Sequence, residues 1–220
     1  MLKKILLLGD SIRMSFQPLV AEKLKGIADV TGPADNCRFV KYTLWNIGGW
    51  VAEPGKPDII HWNNGIWDTY HLNPETGVFT PLEEYTAYLK RTLKELRRTE
   101  AKIIWAATTP VNDNSGVCNN AEVDRYNAEA ARLMKAEGIE INDLNRLLRG
   151  NINEHIAEDG VHLTQKGMEA CAEACSNILK KQLKAQSYPP RWPSGRGLAR
   201  CKDGRTVAKM YFSVPPCLCG

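Results

Sequence analysis

Short apolar runs alternate along this chain with longer segments whose apolar residues recur every three or four positions. The first pattern predicts buried strands and the second amphipathic helices. Lys3 to Leu8, closing on Ile5-Leu6-Leu7-Leu8, predicts a strand. Residues 12–25 predict a helix, broken or started near Pro18. Asp29 to Val30 is a brief second strand, and residues 40–51 a short helix. Pro57 to Trp62 is a third strand. Residues 69–79, with Asn73-Pro74 and Thr76-Gly77, are a loop.

The clearest helix comes next. Thr80 suits the N-cap, Pro81 the first turn, and Glu83 completes a capping box. Leu82, Tyr85, Leu89, Leu93 and Leu96 form its apolar stripe. Lys102 to Thr108 predicts a fourth strand, Asn120 to Glu137 a helix stopped by Gly138, and Ile139 to Ile141 a fifth strand. A helical turn or two covers Leu144 to Leu148, and Thr164 caps a last helix reaching about Lys184. Strands alternating with helices predict a three-layer α/β/α sandwich with a central, mostly parallel five-stranded sheet.

Composition narrows the class. With 43% hydrophobic and 25% charged residues, the 220-residue chain has an ordinary globular composition, which excludes collagen-like, coiled-coil and wholly disordered chains. No apolar run approaches the roughly 20 residues of a membrane span. The run Ile5 to Leu8 is too short for a signal peptide, so a cytoplasmic location is expected. The net charge of +4 is uneven. Residues 186–220 carry six basic residues and one acid, whereas the rest carries 23 bases and 24 acids. A nucleic-acid partner is therefore not expected for the folded part, and no membrane partner is expected either.

The expected domain is 1–185. Residues 186–220, rich in proline and glycine, are expected to be a disordered tail with a faint hairpin pattern at 202–207. Of seven cysteines, Cys201, Cys217 and Cys219 fall in that tail. Cys171 and Cys175 share a helical face and read as small core residues. No metal-binding spacing is present, and no cofactor is expected.

Two short segments carry candidate chemistry. Gly9-Asp10-Ser11 stands where the first strand gives way to the first helix, at the carboxyl edge of a parallel sheet. A serine there is a good N-cap, and also an exposed hydroxyl beside helix-start amides that favour negative charge. Asp159-Gly160-Val161-His162 precedes the last helix. Histidine is the natural base near neutral pH, and an aspartate three residues earlier can reach its Nδ1 proton. The other histidines, His61, His71 and His155, have no such partner in sequence.

These segments, quoted as Ile5-Leu6-Leu7-Leu8-Gly9-Asp10-Ser11 and Asp159-Gly160-Val161-His162-Leu163-Thr164, resemble the SGNH hydrolases, also called GDSL esterases. The resemblance covers about residues 1–184. It implies Ser11 as nucleophile, His162 as base, Asp159 as its orienter and the Ser11 amide as one oxyanion donor. The middle of the chain departs from the family. Where Gly-x-Asn-Asp is expected, the register gives Gly65-Ile66-Trp67-Asp68, with Trp67 in the asparagine's place. Asn63 and Asn64 precede it, and Asn64 is the preferred oxyanion donor. A backbone amide of Cys37 or Arg38 is expected as another, and Arg38 can face the substrate. Asp10 and Trp67 complete the residues expected at the oxyanion or substrate.

Trp45, Trp50, Trp62, Trp67 and Tyr70 cluster in this stretch, as core residues or as platforms for a sugar. The expected function is a serine esterase acting on a small acyl ester, acetyl first, on a carbohydrate. The alternatives are a non-catalytic carbohydrate-binding protein on the same fold and an O-acyltransferase. A nucleotide-binding domain is disfavoured, because no glycine-rich phosphate loop follows the first strand.

Overall fold

Strand β1 (Lys3–Leu8) shows how the core divides. Successive side chains of a strand point to opposite faces. Ile5 and Leu7 accordingly join one apolar cluster, and Leu6 and Leu8 the other. The same alternation runs through β3 (Ile59–Trp62) and β4 (Lys102–Ala106). There Ile59 and Ile104 face one side, and Ile60, Trp62, Ile103 and Trp105 the other. With β2 (Ala28–Thr31) and β5 (Glu140–Asn142), the strands lie in the order β2-β1-β3-β4-β5, and every pairing is parallel.

Parallel neighbours require crossovers, which helices supply. Helices α1 (Ser11–Lys23), α5 (Leu144–Arg149), α6 (Ile152–His155) and α7 (Gln165–Ser187) cover the first face. Helices α2 (Val40–Ala52), α3 (Leu82–Arg97) and α4 (Asn120–Ala136) cover the second. The three-layer architecture expected from the sequence is present.

This computed structural model describes residues 1–187 except Pro74. The tail from residue 188, its three cysteines and the pattern at 202–207 lie outside the described residues. Helix α7 runs to Ser187, past the expected Lys184. Among the described residues no helix is long and apolar enough to cross a membrane.

Two local expectations are corrected. Helix α1 is neither broken nor begun at Pro18. It starts at Ser11, and Pro18 sits inside it. The lost amide bond is offset by burial of Phe16 and Val20 on either side of the proline. The capping box at Thr80 does not form: Pro81 is the N-cap and no side chain caps the helix. Thr80 is instead drawn inward, its amide donating to the Asp68 carbonyl at 3.0 Å and its carbonyl accepting the Tyr126 hydroxyl at 2.6 Å. Thr164 does cap α7, accepting the Gly167 amide at 3.1 Å. Cys171 and Cys175 are fully buried core residues, and burial pushes both thiols well above their ordinary pKa.

Candidate active site

All five strands point the same way, so the loops at their carboxyl ends meet along one edge. The chain leaves β1 through Gly9 and Asp10. Asp10 is extended and caps α1, its Oδ1 accepting the Ile12 amide at 2.9 Å. This fixes Ser11 as the first helical residue, and its amide has no partner among the described residues. On the far side of the edge, residues 157–162 form a tight loop closed by the Ala157 amide donating to the His162 carbonyl at 2.7 Å. Gly160 makes that loop possible: its φ is +80°, and a Cβ there would stand 2.6 Å from the Ser115 Cβ.

The two segments meet. His162 Nδ1 lies 2.7 Å from Asp159 Oδ2, and His162 Nε2 lies 3.0 Å from Ser11 Oγ. A neutral imidazole donating from Nδ1 to the carboxylate keeps Nε2 as an acceptor for the serine hydroxyl. Asp159 Oδ1 accepts the amides of Val161 and His162, each at 2.9 Å. Burial raises the Asp159 pKa, but these amides and the His162 ring outweigh it, and the carboxyl is held below its ordinary value. An ionised Asp159 fixes the histidine tautomer and can stabilise an imidazolium.

The expected oxyanion residues are placed differently, which corrects the sequence reading. Asn64 is fully buried, with both Nδ2 protons spent on the Arg38 carbonyl (3.0 Å) and Thr43 Oγ1 (2.8 Å). Its Oδ1 accepts the Trp62 indole N–H at 2.8 Å. Asn64 ties α2 to β3 and has no donor left to offer. Asn63 Nδ2 is turned to the Ala106 carbonyl (2.8 Å) and Thr108 Oγ1 (3.3 Å). The Cys37 amide donates to the Gly9 carbonyl at 3.2 Å, and the Arg38 amide to Asn36 Oδ1 at 2.8 Å.

Arg38 is exposed with φ +48°, and its guanidinium lies 4.6 Å over the Tyr42 ring. Asp10 is buried and borders another cavity of about 10 Å³, together with His61, Asn63 and Thr109. Burial pushes its carboxyl up to about 6, against the Ile12 amide and the charge of Arg13.

Sequence reasoning missed the turn after Asn64. The Gly65 carbonyl accepts the amides of Asp68 (3.0 Å) and Thr69 (2.9 Å), as at the start of a helix. Such a turn leaves its first amides unpaired, and the Ile66 amide has no partner among the described residues. Gly65 has φ +155°, and a Cβ would lie 2.1 Å from Thr108 Oγ1. The signal was the Asn-Gly pair after a strand, which marks a turn more than it marks a side-chain donor. Asp68, buried at the end of this turn, accepts the Val40 amide on both oxygens (3.1 and 3.2 Å) and so holds the start of α2. Burial pushes its carboxyl up to about 7, against that amide bond.

In front of Ser11, Asp159 and His162 opens a cavity of about 550 Å³. Phe39, Trp67, Tyr70 and Phe79 contribute rings to it. Ile66, Leu72, Val117 and Val161 complete its lining. The tryptophan cluster thus divides. Trp62 is core, edge-on to Trp105 at 4.8 Å, whereas Trp67 faces the cavity and Trp45 is exposed on α2. Among the described residues no group of three or more His, Cys, Asp or Glu is placed to hold a metal ion.

Solved structures share this fold, a parallel five-stranded sheet between two helical layers. An acetyl xylan esterase, AlAXEase, superposes with a TM-score of 0.69 at 17% identity, covering 80% of this chain and 99% of its own. A carbohydrate esterase family 3 protein from Talaromyces cellulolyticus gives 0.66 at 20% identity, covering 83% and 99%. A lipase/acylhydrolase from Enterococcus faecalis gives 0.70 at 18% identity, covering 82% and 96%. No family model and no curated protein matches the chain.

Proposed function

We propose that the protein is a serine esterase, a carboxylic ester hydrolase working through an acyl-enzyme. The observation that carries this reading is the continuous Ser11–His162–Asp159 array at 3.0 and 2.7 Å. The fold supports it, being shared with esterases and lipases.

His162 Nε2 takes the Ser11 proton as Oγ attacks the ester carbonyl. The oxyanion is received by the unspent amides of Ser11 and Ile66. The imidazolium, steadied by Asp159, returns its proton to the leaving alcohol as the ester C–O bond breaks and the acyl group stays on Ser11. Water then repeats the sequence with His162 as base. The carboxylic acid leaves and Ser11 recovers its proton.

The test is hydrolysis of p-nitrophenyl acetate by wild type, Ser11→Ala and His162→Ala, with folding checked by circular dichroism. Each substitution is expected to lower kcat by about 10³-fold or more. Equal rates in all three folded proteins would overturn the reading.

A further inference from the structure

We propose that the ester hydrolysed here carries an apolar chain or ring in one of its halves, seated on a wall built by Ile66, Trp67, Tyr70, Leu72 and Phe79. This rests on the esterase reading above. A cavity of about 550 Å³ is the size of a small-molecule pocket and far exceeds what an acetyl group fills. Its lining is apolar. Apart from Ser11, Asp159 and His162, the only polar side-chain atoms on it are the Trp67 indole N–H and the Tyr70 hydroxyl. Stacking a sugar on aromatic rings leaves its hydroxyls in need of side-chain partners, and two such groups supply few.

The exposure points the same way. Trp67, Leu72 and Phe79 are 37%, 71% and 42% exposed, and all three border the cavity that holds Ser11. Adjoining large apolar side chains left in water around a pocket mark a surface that an apolar partner covers. The wall is firmly built. The His71 amide donates to the Val117 carbonyl and the Phe79 amide to the Tyr70 carbonyl, each at 2.8 Å. The His71 ring meets Glu122 of α4 at 2.6 Å. Trp67 stacks on Tyr70 at 6.3 Å, and Phe79 packs on Phe39 at 4.7 Å. Rings held this way present apolar area without having to be ordered on binding.

The test measures kcat/KM for two ester series, one lengthening the acyl group from acetyl to hexanoyl and one lengthening the alcohol of an acetate ester. Each fully buried methylene is worth about fourfold, the equivalent of about 0.8 kcal/mol. With half of that realised, one series should rise at least about tenfold across its length, and the rising series tells which half lies on the wall. Leu72→Asn and Phe79→Asn should flatten that rise. Both series flat or falling, with turnover still dependent on Ser11, would overturn the proposal and leave the esterase reading standing.

A second readout does not need turnover. N-hexylhexanamide, which lacks the ester, is titrated against the Ser11→Ala protein by tryptophan emission, with Trp67→Phe as the control. Saturable change lost in the control supports the apolar site even if no ester is cleaved, and no saturable change overturns it.

Discussion

Replacing Gly65 by alanine tests the turn that borders Ser11. A Cβ at this position would lie 2.1 Å from Thr108 Oγ1 and 3.1 Å from Thr108 Cβ, so Thr108 has to move. Its hydroxyl donates to the Asn64 carbonyl at 3.2 Å and accepts from Asn63 Nδ2 at 3.3 Å. Losing both bonds costs about 1 kcal/mol each. The backbone at φ +155° is one that L side chains rarely adopt, and holding alanine there costs about 1–3 kcal/mol. The expected destabilisation is therefore about 3–5 kcal/mol, read from urea unfolding monitored by tryptophan fluorescence. The double variant Gly65→Ala, Thr108→Ala removes the closest contact and keeps the backbone strain. It should be less destabilised than the sum of the two single variants, by about 1–2 kcal/mol. A Gly65→Ala protein within about 0.5 kcal/mol of wild type, or strict additivity in the cycle, would refute the reasoning.

Other expectations follow from the same geometry. Asn64→Ala breaks three side-chain bonds, two of them buried, and should cost about 2–4 kcal/mol in urea unfolding; an unchanged midpoint would return Asn64 to the list of oxyanion donors. Burial raises Asp68 to about 7, so its protonated form favours the fold. That contribution is complete below the unfolded value near 3.9 and is lost as pH rises through about 7, amounting to at most about 4 kcal/mol. The neutral Asp68→Asn variant, compared with wild type in urea at pH 5 and pH 8, should show the smaller loss at the higher pH, and parallel losses would refute the assignment. Removing the α7 cap with Thr164→Ala should cost about 1 kcal/mol by the same assay.

The order of strands and helices, the two-sided burial of the sheet and the Asp159–His162 pairing could all be read along the chain, whereas Ser11 was joined to that pair only through the resemblance. Each depends on a local signal. Alternation in Ile5 to Leu8 assigns side chains to opposite faces whatever the rest does, and Asp159 and His162 are close enough in sequence for one loop to join them. What only the tertiary structure decided concerns polar groups whose partners lie far along the chain. Asn64 has the side chain of an oxyanion donor, but Arg38, Thr43 and Trp62 claim it. Thr80 reads as an N-cap until bonds to Asp68 and Tyr126 draw it inward.

The aromatic run was equally ambiguous. Trp62 and Trp67 both belong to that run, but β3 turns Trp62 into the core, whereas Trp67 follows the turn at Gly65 and lies at the cavity. A backbone pattern fixes where an apolar residue points. A polar side chain takes its role from whichever donor or acceptor reaches it first, and for Asn64 that partner is set by the packing of separate elements.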